Sequence, residues 1–243
     1  MQSFMSTTSY YPWLTDQAAL DCFDAILKAH FDEVGYRFFS LRTNAARTEL
    51  VIKYLLSRAN VASGRLLNVG AGGFVFDFIL GHARPWSIVS FDRELSYIPL
   101  YRALQQKELL PRTSFIIADL RDCDFAPDSF PFILAHDLLY EPSLELSWLL
   151  PKFARWLQPE GFLYFDVWDQ RAQSLWKLSS HYRRFRRYDL RQVKQLLREN
   201  GFQVLTETPY FGSRPVFREV RKVLWACCGI SNTRHFLVQR HAS

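Results

Sequence analysis

The chain has 243 residues and a net charge of +6, with 49% hydrophobic and 16% aromatic residues. That balance excludes an intrinsically disordered chain, and the length supports one large α/β domain with additions. No uninterrupted apolar run approaches the roughly 18 residues of a membrane span, and Met1 to Thr15 lacks the basic start and apolar middle of a signal peptide, so a cytoplasmic protein without membrane association is expected.

Residues 15–31 and 44–60 read as helices, and in the second Leu50, Val51, Tyr54 and Leu55 share one face of a 3.6-residue period. Between them Tyr36, Arg37, Phe38 and Phe39 read as an aromatic loop. From Arg65 onwards short apolar runs alternate with amphipathic segments, the pattern of a parallel sheet with crossover helices. Strands are expected over 66–69, 87–91, 114–118, 132–135, 162–167, 203–207 and 235–239, with helices around 75–82, 97–106, 144–157 and 190–200. Seven strands without an internal repeat predict one doubly wound α/β domain over 61–243, preceded by a helical N-terminal segment over 1–60. Two connections, 169–189 and 209–234, exceed ordinary loop length, and insertions of that kind usually carry function. In the second, Pro215 opens a helix in which Phe217, Val220, Val223 and Leu224 share a face.

Cys22, Cys123, Cys227 and Cys228 show no Cys-x-x-Cys spacing, and no histidine pair stands at ligand spacing, so no metal is expected. Cys227 and Cys228 read as buried helix residues. Basicity is local: residues 171–222 hold 13 Arg and Lys against 4 Asp and Glu. It is densest at residues 181–188, where aromatics interleave with arginines. Such a stretch contacts phosphates or stacked bases, or else forms a solvated face whose arginines pair with the protein's own acids.

The most telling stretch is Leu66-Leu67-Asn68-Val69-Gly70-Ala71-Gly72-Gly73-Phe74, a buried strand entering a glycine turn. Gly70 and Gly72 permit φ > 0 and a close approach of backbone N–H groups to a nucleotide-like ligand. In a doubly wound sheet that ligand lies beyond the C-terminal strand ends, and three ends carry carboxylates. Asp92 closes the second strand, placed for two ribose hydroxyls; Asp119 closes the third, placed for an exocyclic amine; Asp166 lies near the end of the fifth, followed by Asp169. A nicotinamide dehydrogenase shares the turn and the first acid, but its fingerprint needs glycine at position 75, which is Val75.

The order of these parts, from about Val61 to the C-terminus, resembles the class I S-adenosylmethionine-dependent methyltransferases of small-molecule type. Their first motif is similar to residues 68–74, their fourth-strand region to Asp128-Ser129-Phe130-Pro131-Phe132-Ile133-Leu134-Ala135-His136-Asp137, and the turn before their fifth strand to Leu157-Gln158-Pro159-Glu160-Gly161-Phe162. The resemblance implies a seven-stranded, mostly parallel sheet with its last strand antiparallel. It further implies S-adenosyl-L-methionine as cofactor, S-adenosyl-L-homocysteine as product, and cofactor contacts at Asn68, Gly70, Ala71, Gly72, Asp92, Arg93, Asp119, Leu120 and His136. The chain departs from the family at Asn68, where an acid is usual, at Phe74, where a third glycine is usual, at Pro131 and at Glu141.

Methyl transfer from a sulfonium is an in-line displacement, in which the protein aligns nucleophile and methyl carbon. His136, ending the fourth strand, is the candidate base, with Asp137, Tyr140 and Glu141 on the same rim; His181 is a second candidate. Tyr10, Tyr11, Trp13, Tyr36 and Tyr140 are expected to form an aromatic lid, and a closed aromatic pocket favours a small organic acceptor methylated at oxygen or nitrogen. The second reading is an RNA or DNA methyltransferase gripping the backbone with residues 181–188. The third is a cofactor-binding regulator without catalysis. Sequence leaves the oligomeric state open.

Overall fold

Seven strands in the order β3-β2-β1-β4-β5-β7-β6 form the sheet of the computed structural model, which describes residues 16–41, 48–49, 51–52, 64–83, 85–172, 185–210 and 215–241. They are β1 (Arg65–Val69), β2 (Ser87–Asp92), β3 (Thr113–Ile117), β4 (Phe130–Ala135), β5 (Leu157–Trp168), β6 (Phe202–Tyr210) and β7 (Thr233–Arg240). The pairings β1·β4, β2·β3 and β4·β5 are parallel, whereas β7 runs antiparallel to both β5 and β6. The expected α/β architecture, with its reversed last strand, is the observed one. No helix among the described residues is long and apolar enough to cross a membrane.

The chain divides into two compact units, the first comprising 1–64 with 71–121 and the second 65–70 with 122–243. Unit 1 holds β2 and β3 with α1 (Gln17–His30), α2 (Glu33–Phe39), α3 (Val75–Ala83) and α4 (Tyr97–Gln106). Asp16 caps α1 by accepting the Ala19 amide at 3.0 Å, satisfying one of the orphan donors of the first turn. The core of this unit is aromatic: Phe23 of α1 stacks on Phe78 of α3 with ring centroids 4.3 Å apart. Both rings are fully buried, and each such side chain contributes about 1.5–3 kcal/mol through removal from water. Residues 36–39, expected as a loop, are helical in α2. The reason is a local cap: Asp32 accepts the Gly35 amide at 2.7 Å and starts a turn that the aromatic composition disguises.

Unit 2 holds the remaining strands with α5 (Leu146–Trp156), α6 (Leu190–Glu199) and α7 (Pro215–Cys228). Leu134, Ala135, Leu163, Phe165, Phe236 and Val238 bury the middle of its strands, as expected of a sheet covered on both faces. Helix α6 turns Val193 and Leu197, one turn apart, into that core. The helix expected from Pro215 is present, but Val220 and Val223 are 55% and 62% exposed. Cys227 and Cys228 are exposed free thiols rather than buried ones, because they end a helix whose described residues are largely solvated.

Phe74 has φ of 57°, a left-handed conformation that a Cβ disfavours by about 1–2 kcal/mol. Its buried ring packs edge-on against Phe115 at 4.9 Å and beside Tyr101 at 5.6 Å. Removing the ring by Phe74→Ala is expected to cost about 3–5 kcal/mol in urea denaturation. Phe74→Gly, which loses the same ring but relieves the backbone, should cost about 1 kcal/mol less. Equal costs for the two variants would show that the backbone is unstrained.

Candidate functional site

In unit 1 the glycine turn is tied to the end of β2 by its own amides. Ala71 N–H donates to the Phe91 carbonyl at 3.0 Å, and Gly72 N–H donates to Oδ2 of Asp92 at 3.0 Å. The other carboxylate oxygen of Asp92 accepts the Glu94 amide, also at 3.0 Å. Burial pushes the Asp92 carboxyl above its ordinary value, and the amides of Gly72, Glu94 and Arg93 pull it back in part. Tyr97 is driven up to about 12 by burial and by the charges of Asp92 and Glu94.

An aromatic cluster roofs this turn. Phe39 stacks on Phe31 at 4.8 Å and meets Tyr97 edge-on at 6.3 Å. A Cβ on Gly72, where φ is 51°, would lie 2.8 Å from Phe39 Cε1, and one on Gly73 would lie 2.7 Å from Phe39 Cγ. Glycine is therefore required twice over at 72, by conformation and by the ring, and once at 73. Sequence reasoning missed Phe39 and Tyr97 because nothing local links them to the turn.

Asp119 follows β3, where its Oδ1 accepts the Arg121 amide at 2.8 Å in an Asx turn. Leu120 is buried beside it, and Arg93 is exposed with its Nε 3.6 Å from Glu94. Tyr36 donates its hydroxyl to Asp24 at 2.7 Å, joining α2 to α1. Of the other expected lid residues, Tyr10, Tyr11 and Trp13 lie outside the described residues, as does His181.

In unit 2, Asn68 is buried on β1 opposite Leu134 of β4. Gly70 has φ of 76°, with Leu138 Cδ1 3.0 Å from where a Cβ would stand. Beyond β4, Asp137 takes a left-handed φ of 52° and donates its amide to Oδ1 of Asp166 at 2.5 Å. Asp166 stands opposite His235 in the β5·β7 register, and His235 stands opposite Thr208 of β6. His235 Nδ1 lies 2.6 Å from the Tyr164 hydroxyl. The His136 ring is 6.4 Å from that of Tyr164 and 6.0 Å from that of His235. His136, Asp166 and His235 are 8%, 4% and 2% exposed, a buried polar row at the ends of β4, β5 and β7. The absence of a metal site was expected from local spacing alone, whereas this row gathers ligand-type residues from β5, β7 and the residue after β4, which are distant in sequence.

The basic stretch, where described, is engaged within unit 2. Arg186 donates to the Pro142 carbonyl at 2.7 Å and to Glu145 at 2.8 Å. Arg187 lies over the Trp168 ring at 6.0 Å, and the Tyr188 hydroxyl donates to the Leu144 carbonyl at 3.1 Å. Tyr140, an expected lid residue, packs on Phe185 at 4.7 Å.

The roof and the turn are expected to couple energetically. Gly73→Ala should destabilise the protein, and Phe39→Ala in the same chain should remove that cost, giving a coupling of about 0.5–3 kcal/mol in a double-mutant cycle. For Gly72→Ala the same cycle should leave about 1–2 kcal/mol unrecovered, from the backbone conformation. Additive costs at position 73 would show that the ring does not bear on the turn.

No protein-family model matches the chain, and comparison with curated proteins gives no match. Solved structures do match. One is a candidate sarcosine dimethylglycine methyltransferase from Galdieria sulphuraria, at 14% identity and a TM-score of 0.66, covering 92% of this chain and 98% of that one. Another is a geranyl diphosphate methyltransferase in complex with GPP and sinefungin, at 11% identity and a TM-score of 0.61, covering 87% and 85%. The 4+2 cyclase SpnF is similar at 16% identity and a TM-score of 0.61, covering 80% and 82%. Seven strands in this order, the reversed last strand and these likenesses establish the fold of the class I S-adenosylmethionine-dependent methyltransferases.

Proposed function

We propose that the protein transfers a methyl group from S-adenosylmethionine to oxygen or nitrogen of a small organic acceptor. The observation that carries this reading is the Asp92 carboxylate, partly buried at the end of β2 and bonded to the Gly72 amide of the glycine turn. A carboxylate raised by burial and only partly compensated by amides gains from two further hydroxyl donors, which a ribose supplies. Asp119 and Leu120 are the residues proposed beside the adenine, and Ala71 and Arg93 flank the ribose acid. From unit 2, Asn68 and Gly70 belong to the same motif. His136 is proposed to take the acceptor's proton, with Asp137 positioning Asp166 beside it through its amide.

The small-molecule acceptor is favoured over a nucleic acid by the described part of the basic stretch. Arg186 spends its guanidinium on Glu145 and Pro142, and Arg187 lies on Trp168, which is the pattern of a stretch that organises its own fold. Since one structural neighbour is a cyclase, fold alone does not assign the reaction, and turnover has to be measured.

Calorimetric titration should show binding of both S-adenosylmethionine and S-adenosylhomocysteine; failure of both to bind sinks the proposal. Asp92→Asn should weaken that binding by about 1.5–3 kcal/mol, the loss of a charge-assisted hydrogen bond. In the ligand-free wild type the Asp92 charge should cost stability at neutral pH that is regained as the pH falls. The sign follows from the raised carboxyl: its ionised form is disfavoured in the fold, so the charge costs stability above the unfolded value and the cost vanishes as pH falls through it. Asp92→Asn, whose amide can accept only one of the Gly72 and Glu94 N–H groups, should remove that pH-dependent gain, and an unchanged pH profile of melting in the variant would contradict this. For acceptor chemistry, His136→Gln should lower turnover by about 10²- to 10⁴-fold with S-adenosylhomocysteine affinity unchanged. Loss of cofactor affinity with turnover intact would move His136 to the binding side.

A further inference from the structure

The polar row of unit 2 occupies sheet positions that ordinarily hold aliphatic side chains. His136 follows β4, Asp166 lies on β5 and His235 on β7, and all three are more than nine-tenths buried. Each offers one ligand atom, and the three atoms lie within 4.8 Å of one another. A zinc-sized cation with bonds of about 2.1 Å holds tetrahedral ligand atoms about 3.4 Å apart, so small side-chain rotations close the set. We propose that His136, Asp166 and His235 form a binding site for one divalent transition-metal cation.

The surroundings fit that use. His235 has its Nδ1 at 2.6 Å from the Tyr164 hydroxyl, and in the tautomer whose Nδ1–H donates to that oxygen the ring is fixed and Nε2 keeps its lone pair for the cation. Asp166 accepts the Asp137 amide on Oδ1, which orients the carboxylate and makes Oδ2 the ligand oxygen. Such second partners on the ligands set ring orientation and tautomer at metal centres. Two imidazoles with one carboxylate suit zinc, cobalt or ferrous iron, while magnesium and calcium favour all-oxygen sets. The register places the ligands on rigid elements, since Asp166 and His235 are direct partners across β5 and β7. Three protein ligands leave a coordination position for a small molecule.

The site stands on this geometry, and its use in catalysis rests on the methyl-transfer reading above. An acceptor hydroxyl at the open position would release its proton to solvent more readily. Its oxygen then forms the new O–CH₃ bond as the S–CH₃ bond breaks, and the electron pair of that bond stays on sulfur in S-adenosylhomocysteine. In the loaded protein His136 is a ligand, and the cation activates the acceptor in its place.

The test uses untagged full-length protein, stripped of metal by a chelator and titrated with Zn²⁺ by calorimetry and with Co²⁺ by visible absorption, without cofactor. The expected result is one cation per chain, the visible bands of low-coordinate Co²⁺ with nitrogen and oxygen ligands, and no competition from Mg²⁺. Tyr164→Phe, which removes only the outer partner of His235, should weaken Zn²⁺ binding by about 10- to 100-fold, and Asp166→Asn and His235→Gln by at least as much. Absence of Zn²⁺ binding to the wild type overturns the site. So does unchanged binding in the three variants when their circular dichroism is that of the wild type. Titration with S-adenosylhomocysteine in parallel separates the two proposals. Zn²⁺ binding without S-adenosylhomocysteine binding supports the site and removes the methyl-transfer reading; the reverse removes the site and leaves His136 as a base.

Discussion

One carboxylate governs the glycine turn. Asp92 accepts the Gly72 amide with one oxygen and the Glu94 amide with the other, so the turn and the end of β2 are held by the same side chain. Burial makes this charge costly, and the amides offset only part of the cost. A site that folds around an under-compensated charge is less stable than with that carboxyl protonated, and further hydrogen-bond donors would offset the remaining cost.

The irregularity of the turn has a related explanation. Phe74 stands in a left-handed conformation where its Cβ costs about 1–2 kcal/mol. Full burial of its ring returns about 1.5–3 kcal/mol, which is enough to offset the strain. Phe39 closes the other side, over Gly72 and Gly73. The turn is thus shaped as much by rings packed around it as by the glycines within it, and a chain with aromatic residues in α2, α4 and β3 can depart from a glycine at position 74 without losing the turn.

The inner strands were legible because each carries an apolar run buried on both faces, and the helices of the crossovers because their apolar residues recur at one turn's spacing. Where the reading went astray, a local signal was outweighed by another. Residues 36–39 looked like a loop from their ring content, yet the Asp32 cap sets a helix. Cys227 and Cys228 looked buried from their chemistry, yet they end a solvated helix. The turn, Asp92 and Asp119 were visible because glycines and strand-end acids leave marks within a few residues. His235 and Tyr164 leave no such mark, since what joins them to His136 and Asp166 is strand register, which no short stretch of sequence encodes.

That register depends on the reversed last strand. In parallel neighbours the C-terminal ends meet, as at Ala135 and Phe165 of β4 and β5, so a strand running the same way would bring its last residues to the rim where His136 and Asp166 lie. Because β7 runs antiparallel, its beginning lies there instead, and His235, near its start, is set directly opposite Asp166. Thr208, near the end of β6, extends the row from the next strand, and Tyr164 sits two residues before Asp166 on the same face. Placing polar side chains across the buried strands opposes the hydrophobic pattern that stabilises the rest of the sheet. A fold tolerates such a row when its members hold one another, and here the antiparallel strand supplies the geometry by which they do.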